Sequence, residues 1–267
     1  MMLNHAPIFL NCLSRGGSNI LWNIFLSHPD ACSPIYETLE IFRTGFRKPR
    51  WEGYFTALLS GQPSLFDQWY LQGRRSVPGF IQSFIDRTLY KYKLKTLTDP
   101  DMRFKYEGEP YTLDEVKHAR LVTKNNNGLA YLSDLFLEMY PDAIFIALVR
   151  DPLALYESHQ RRKISKSPEA FANTFNTLTG QMFADHKRFP QYHLFRFEDI
   201  LADPVSSIQK LYTLTGLDFD KVRKMRFRAK PHYRANGTHG SLLPVYGHYW
   251  FEMAQVPDFL ELVINLF

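Results

Sequence analysis

The sequence predicts an α/β protein of three layers, α/β/α, around a central parallel sheet, and three observations predict it. Short apolar segments such as 8–13 and 143–149 alternate with segments whose apolar residues recur at helical spacing. The apolar segments lack a polar face, which is typical of strands buried on both sides. A tight glycine loop joins the first strand directly to a helix. With 267 residues, we expect a single domain, 1–267, with an insertion.

The first strand and helix are the most regular part of the chain. Segment 8–13 is predicted as a buried strand and 18–28 as a helix. The apolar residues of that helix fall on one stripe: Ile20, Leu21, Ile24 and Phe25. Pro29 ends the helix, and 32–36 is predicted as a second short strand.

Segment 39–120 interrupts this alternation. Aromatic residues are mixed there with glycine, proline and basic residues, and helices are predicted at 51–60 and 79–94. The segment is long for a connection between two strands, so we interpret it as a helical insertion that forms a lid or an acceptor site. A helical layer with a purely structural role is the alternative.

Alternation returns after the insertion. The predicted strands are 121–123, 143–149 and 192–197, and the predicted helices are 128–139, 151–163 and 205–215. Asp151 as N-cap and Pro152 as first helical residue mark one helix start clearly. Gly216 is predicted to close the last helix.

The charge favours an anionic partner, since the formal net charge is +5 and the pI is near 9.1. The basic runs at 161–163 and 223–230 are too short to form a nucleic-acid-binding arm. A small polyanionic cofactor accounts for the same charge, so we expect no nucleic-acid partner.

Neither a membrane nor a metal ion is expected. The longest apolar stretches fall well short of the roughly 20 residues that a spanning helix needs, and 1–7 does not resemble a signal peptide. We therefore expect a cytoplasmic protein, with Cys12 and Cys32 as reduced core residues. His, Cys and carboxylate residues show no spacing typical of a metal site, which predicts a mechanism without metal.

The loop SRGGSN at 14–19 is a candidate anion cradle. A buried strand that leads through adjacent glycines into a helix directs several backbone N–H groups at one point. The candidate ligands are Arg15, Gly16, Gly17, Ser18 and Asn19. The loop is not a Walker A sequence, because the GxxxxGK[ST] pattern is missing. An ordinary turn from strand to helix is the alternative interpretation.

A second candidate group follows another predicted strand. Arg150 comes directly after 143–149, and ligands of open α/β sheets lie at the carboxyl ends of the strands. The guanidinium groups of Arg15 and Arg150 could therefore meet over one anion, through charge-assisted hydrogen bonds of roughly 1.5 to 3 kcal/mol each. A salt bridge to a nearby carboxylate is the alternative for Arg150.

Three segments together resemble sulfotransferases that use 3′-phosphoadenosine 5′-phosphosulfate (PAPS). They are SRGGSN at 14–19 with SHP at 27–29, the stretch 140–152 with Ser158 eight residues after Arg150, and FRFEDILADP at 195–204. The resemblance is closest to carbohydrate, tyrosylprotein and bacterial members, and it covers 8–38 and 124–217. It implies a P-loop-like sulfotransferase fold.

The resemblance also implies binding roles. The loop backbone with Ser18 and Asn19 would hold the 5′-phosphate and the sulfuryl group, whereas Arg150 and Ser158 would hold the 3′-phosphate. Asn19 stands where a second hydroxyl is common in the family, and Gly16 where serine is frequent. The product nucleotide would be 3′-phosphoadenosine 5′-phosphate (PAP).

Glu37 is the candidate general base, because it occupies the place where tyrosylprotein sulfotransferases carry their base before a threonine, here Thr38. Glu40 is the second candidate for the base. The alternative for Glu37 is a surface carboxylate without a catalytic role. Arg15 and Lys124 would stabilise the charge that develops in the transition state. Lys124 is expected at the end of a short strand, and a simple loop lysine is the alternative.

The predicted activity is transfer of a sulfuryl group to a hydroxyl of a carbohydrate, a tyrosine or a small molecule by in-line displacement. A P-loop-like kinase and a non-catalytic protein that binds a nucleotide or polyanion are the alternatives. The aromatic segment 237–250 either closes over the adenine or packs as a tail on the sheet.

Overall fold

The strands of the protein, seen in a computed structural model, form one parallel sheet and two hairpins. The structure describes residues 3–33, 37–38, 79–126, 130, 132–165, 167–229, 247–258 and 260. The strands are β1 (Ile8–Cys12), β2 (Ala31–Cys32), β3 (Phe104–Tyr106), β4 (Glu109–Pro110), β5 (Arg120–Asn126), β6 (Ile144–Val149), β7 (Tyr192–Arg196), β8 (Lys224–Ala229) and β9 (Gly247–Glu252).

The central sheet has the order β2-β5-β1-β6-β7, and its strand pairs are all parallel. Ile8 of β1 is in register with Val122 of β5 on one side and with Ile144 of β6 on the other. The β3–β4 and β8–β9 pairs are antiparallel hairpins. The predicted fold class, α/β with a central parallel sheet, is confirmed.

Helices cover both faces of the sheet. They are α1 (Ser18–Leu26), α2 (Gly79–Leu94), α3 (Leu113–His118), α4 (Ser133–Met139), α5 (Pro152–Arg161), α6 (Pro168–Arg188), α7 (Phe197–Ala202) and α8 (Pro204–Thr215). Alternate residues of β1 point to opposite faces, so that Leu10 packs in a core with α1, α8 and β8. Phe9 packs in a second core with α2, α4 and α6.

The strand order fixes where a ligand can bind. The chain leaves β1 toward β2 on one side of the sheet, whereas it leaves β6 toward β7 on the other. Connections that diverge in this way open a crevice at the carboxyl ends of the two strands. The loop after β1 and the residues after β6 line this crevice.

Several elements differ from the sequence prediction. Strand β5 runs from Arg120 to Asn126 rather than over 121–123, and α4 begins at Ser133 rather than at 128. Helix α6, with 21 residues, was not predicted, although Ser167 caps it and Pro168 opens it. Neither hairpin was predicted, and β9 begins within the segment expected only as a closing loop or tail.

The insertion is described from residue 79 onward. The predicted helix at 79–94 is confirmed as α2, and α3 begins at Leu113 with Thr112 and Glu115 forming a capping box. The β3–β4 hairpin shows that this part is not purely helical. The helix predicted at 51–60 lies outside the described residues.

Gly17 joins the first strand to α1 in a conformation that other residues adopt only with strain. Its φ is 96°, and a Cβ at this position would lie 2.4 and 2.5 Å from two carbons of the Phe197 ring. The backbone of the loop therefore passes directly against an aromatic side chain that follows β7.

We expect Gly17→Ala to lower the free energy of unfolding by roughly 2 to 4 kcal/mol, because it adds both backbone strain and a clash. The matched control is Gly180→Ala in α6, where a Cβ would contact nothing within 4 Å. That control should raise the free energy of unfolding by about 0.5 to 1 kcal/mol, since alanine favours helices. Urea denaturation measures both, and a neutral Gly17→Ala would contradict the packing described.

Polar side chains form a buried cluster between the sheet, α4 and α6. Asn11 donates hydrogen bonds to Ser133 Oγ at 3.2 Å and to the Tyr192 hydroxyl at 3.1 Å. Asp185 is 1% exposed and accepts a hydrogen bond from Gln181 Nε2 at 2.8 Å. Burial raises the pKa of Asp185 to about 6.

The Asp185 carboxyl should make stability depend on pH. The Asp185 carboxyl keeps its proton up to about pH 6 in the folded chain, whereas it releases it near pH 4 in the unfolded chain. The protonated carboxyl therefore favours the folded state at low pH, and this stabilising contribution is lost as the pH rises through about 6. Relative to Asp185→Asn, the wild type should lose roughly 1 kcal/mol of unfolding free energy between about pH 5 and pH 7.5. Chemical denaturation at both pH values measures this difference, and parallel pH profiles of the two proteins would rule the assignment out.

Candidate active site

The loop after β1 turns sharply and begins α1 with exposed backbone donors. Gly16 N–H donates to the Leu13 carbonyl at 2.9 Å, and Ile20 N–H donates to the Gly17 carbonyl at 2.9 Å. Arg15 has a positive φ of 69°. Gly17 has no side chain to cap the first N–H groups of α1, so these groups point into the crevice as a site for an anion.

Arg15, Arg150 and Ser158 lie together on one side of this loop. Arg15 Nε donates to Ser158 Oγ at 3.2 Å. Arg150 Nη1 donates to the Arg15 carbonyl at 3.4 Å, and its guanidinium lies 4.7 Å from the centre of the Phe197 ring. The structure thus brings these three predicted binding residues together from β1, β6 and α5.

The charge around Arg15 is strongly positive. Burial lowers the pKa of Arg15, and the positive charges of Arg162, Arg150 and Arg161 lower it further. Arg161 has a carboxylate partner, Glu157, at 3.6 Å. A bound anion would relieve the repulsion among these guanidinium groups, which makes this side of the crevice suited to phosphate or sulfate.

His159 connects α5 to the loop, a contact that sequence reasoning missed. Its ring is 5% exposed and packs edge-on against Phe171. Nε2 lies 2.8 Å from the Ser14 carbonyl oxygen, which can only accept, so Nε2 carries a proton. Nδ1 lies 2.8 Å from Ser165 Oγ, so that the ring also contacts the segment after α5. Only its place next to Ser158 could have drawn attention to this histidine.

Lys124 lies on the other side of the loop. Its side chain is buried, and Nζ donates to Asn19 Oδ1 at 2.9 Å. Glu37 Oε1 is 3.8 Å from the same ammonium group, and the Trp22 ring centre is 4.6 Å from it. The ammonium therefore remains close to the start of α1, held by an amide oxygen, a carboxylate and an aromatic face.

Two neighbours fix this arrangement. Trp22 Nε1 donates to Ser33 Oγ at 2.8 Å, which orients the indole ring beneath Lys124. Thr38 Oγ1 donates to the Lys124 carbonyl at 2.8 Å, which ties the residue after Glu37 to β5. Trp22 was not among the predicted site residues, and its only sequence signal is its position one helical turn after Asn19.

The predicted site residues that the structure describes are thus located at one edge of the sheet, whereas Glu40, the second candidate for the base, lies outside the described residues. One expectation was wrong: Lys124 lies inside β5, two residues before its end, rather than at the end of a short strand. Because Lys124 is paired with Leu10 of β1, this placement gives it a more rigid backbone than a loop would. The Asn19 side chain bonds Lys124, so it bridges the loop and β5.

A groove of about 1300 Å³ lies at the opposite edge of the sheet. Its charged groups are largely matched: Lys221 Nζ lies 2.7 Å from Asp30, and Lys105 pairs with Glu115. Arg120, which also lines it, donates to backbone carbonyls of Ala6 and Asp142. These paired charges indicate a structural role, in contrast to the cationic crevice.

Comparison with known proteins identifies the family. The sequence model of the sulfotransferase family matches residues 7–221, which is most of the chain. The chain belongs to the sulfotransferase family. The family indicated by the three sequence motifs is therefore confirmed, and the matched range of this sulfotransferase contains the loop, Glu37, Lys124, Arg150 and Ser158. No protein in the curated set matches the sequence significantly.

Solved sulfotransferase structures resemble the chain at low sequence identity. The sulfotransferase domain from the Synechococcus PCC 7002 olefin synthase is 19% identical, with a TM-score of 0.45, over 82% of this chain and 76% of that one. The sulfotransferase domain from the curacin biosynthetic pathway is 14% identical, with a TM-score of 0.47, over 82% and 78%. The sulfotransferase from Alicyclobacillus acidocaldarius is 16% identical, with a TM-score of 0.43, over 80% and 82%.

Two further observations concern the described part of the chain. No helix there is long and apolar enough to cross a membrane. No group of three or more His, Cys, Asp or Glu residues there is placed to hold a metal ion.

Cys12 and Cys32 are free and buried, and burial raises the pKa of each thiol to about 12.

Proposed function

We propose that the protein transfers a sulfuryl group from PAPS to a hydroxyl acceptor. The observation that carries this proposal is the convergence of three cationic side chains from three strands, Arg15, Arg150 and Lys124, on the loop at the start of α1. Membership of the sulfotransferase family supports the transferase chemistry. PAPS as the donor is part of the proposal.

The residues of the crevice fit such a donor. Gly17 packs closely on Phe197, which holds the loop backbone in place at the start of α1. The N–H groups of Ser18 and Asn19 would hold the 5′-phosphate and the sulfuryl group at the helix N-terminus. Arg150 and Ser158 would hold the 3′-phosphate, and the charge on Arg15 would lie between the two anionic groups.

PAPS supplies an activated sulfuryl group, whose sulfur forms a bond to the acceptor oxygen as its bond to the phosphate oxygen of PAP breaks. Glu37 would take the proton from the acceptor hydroxyl, since its side chain is 38% exposed and faces the crevice beside Lys124. Lys124 and Arg15 would stabilise the negative charge that develops on the departing phosphate oxygen. No step in this scheme needs a metal ion.

The spacing between Glu37 and Lys124 suits two separate tasks. At 3.8 Å the two charges attract each other without forming a short hydrogen-bonded pair. The Lys124 ammonium instead donates to Asn19 at the loop, where the leaving oxygen would lie. The Glu37 side chain is 38% exposed, so its carboxylate would be reachable by an acceptor, which would be a carbohydrate, a tyrosine or a small molecule.

Nucleotide binding tests the donor. PAP at about 100 times its Kd should stabilise the protein by about 2.7 kcal/mol, which thermal unfolding detects as a higher Tm. Arg15→Ala and Arg150→Ala should abolish the shift, because each removes charge from the anion site. Arg223→Ala is the matched control, since that arginine is exposed and pairs with Glu109 away from the crevice. A shift with ATP and magnesium but none with PAP would favour a kinase and refute the proposal.

Turnover tests the roles of Glu37 and Lys124, using an acceptor found by screening hydroxyl compounds with labelled PAPS. Lys124→Met should lower kcat by about 10²- to 10³-fold, and Glu37→Gln by about 10²- to 10⁴-fold. Glu37→Gln should keep the Tm shift with PAP, whereas Lys124→Met should reduce it, because PAP carries the phosphate oxygen whose charge Lys124 would stabilise. Glu107→Gln, a change of an exposed carboxylate between β3 and β4, serves as control. Normal turnover by Glu37→Gln would exclude Glu37 as the base.

A further inference from the structure

The segment that follows β7 has no role in the scheme above, although it belongs to the motif at 195–204. We propose that Phe197 and Glu198 are positioning residues that hold Arg150 in place and thereby set the selectivity for a 3′-phosphate on the nucleotide. This inference rests on the proposed function, because it assigns Arg150 to that phosphate.

The sheet register brings the segment next to Arg150. Val149, at the end of β6, is paired with Arg196, at the end of β7. The next residue on each strand is therefore Arg150 on one side and Phe197 on the other. Because the two strands end in register, the sheet places the backbone of Phe197 next to that of Arg150.

Phe197 lies between the loop and Arg150. Its ring is 7% exposed, touches the position where Gly17 would carry a Cβ, and lies 4.7 Å from the Arg150 guanidinium carbon. Stacking on an aromatic ring uses the flat face of a guanidinium and leaves the N–H donors at its edge available. The contact therefore restricts the rotamers of the Arg150 side chain, while its N–H donors can still bind two oxygens of one phosphate.

Glu198 fixes the backbone at the same point. Its Oε1 accepts a hydrogen bond from Asp151 N–H at 2.9 Å, and Asp151 Oδ1 in turn caps α5 by accepting from Ala154 N–H at 2.8 Å. The peptide plane that joins Arg150 to Asp151 is thus tied to α7. Because Ser158 lies on α5, the same bond sets the position of the second group assigned to the 3′-phosphate.

These contacts do not neutralise the positive charge of Arg150. Within the described chain, no carboxylate lies within 4 Å of its guanidinium, and Glu198 bonds a backbone N–H instead. A negative side chain near the first turn of α5 is also favourable to the helix dipole. The arrangement orients a cation toward the crevice and leaves its charge for a ligand.

The test compares PAP with adenosine 5′-monophosphate, which lacks the 3′-phosphate. By isothermal titration calorimetry, Phe197→Leu and Glu198→Ala should each weaken PAP binding by about 10-fold or more, the size of one charge-assisted hydrogen bond. Binding of the monophosphate should change less than about 2-fold in Glu198→Ala; in Phe197→Leu, whose ring also packs on Gly17 of the loop, it should fall by less than PAP binding does. Phe197→Tyr, which keeps the aromatic face, and Glu198→Gln, which keeps an acceptor oxygen, should retain most of the selectivity.

The matched control is Asp199→Ala, which removes an exposed carboxylate on the same turn whose partner, Arg196, is also exposed. It should leave both affinities unchanged. The positioning role would be overturned if Phe197→Leu and Glu198→Ala each left the ratio of PAP affinity to monophosphate affinity at its wild-type value. In that case, binding of PAP by the wild type would still support the proposed function. Should Phe197→Leu fail to fold, Glu198→Ala decides alone, because Glu198 is only half-buried. No binding of PAP by the wild type would refute the proposed function and this inference with it.

Discussion

The contact between Gly17 and the Phe197 ring is the constraint on which the rest of the site depends. A residue with a positive φ and no side chain is the only one that lets the loop after β1 lie against the segment after β7. Since β6 lies between those two strands, the contact closes the crevice around Arg150. The start of α1, the Arg150 guanidinium and α7 are thereby held in one rigid arrangement.

The site has two sides with different electrostatic characters. On one side, Arg15 and Arg150 lie among further arginines, and burial together with these neighbouring positive charges lowers the pKa of Arg15. On the other, the Lys124 ammonium is surrounded by Asn19, Glu37 and the Trp22 ring, which balance its charge locally. The excess of positive charge around Arg15 suits the binding of an anion on that side. The pairing of the Lys124 ammonium with the Glu37 carboxylate suits the transfer of a proton on the other side.

The accuracy of the sequence prediction varied with how local the determining forces are. Helix α2 and the start of α5 were predicted because periodicity and capping act within a few residues. Strands β3 and β4 were missed because segments of three and two residues are too short to show a pattern. Strand β8 was missed although Met225 and Phe227 alternate with basic residues, because the segment was interpreted as a short basic run. Helix α6 was missed although its signal is present in the sequence: Ser167 and Pro168 mark its start, and Phe171, Phe175, Leu178 and Met182 recur at helical spacing.

The sequence by itself determined the α/β class, the glycine loop at 14–19 and the sulfotransferase family, because glycine, arginine and strand patterns act locally and in a fixed order. Only the tertiary structure decided that Lys124 lies within β5 and donates to Asn19, that Phe197 lies against Arg150, and that Glu198 bonds the next backbone N–H. These contacts join residues 47 to 105 positions apart in the chain. They follow from strand order and register, which no single segment of the sequence specifies.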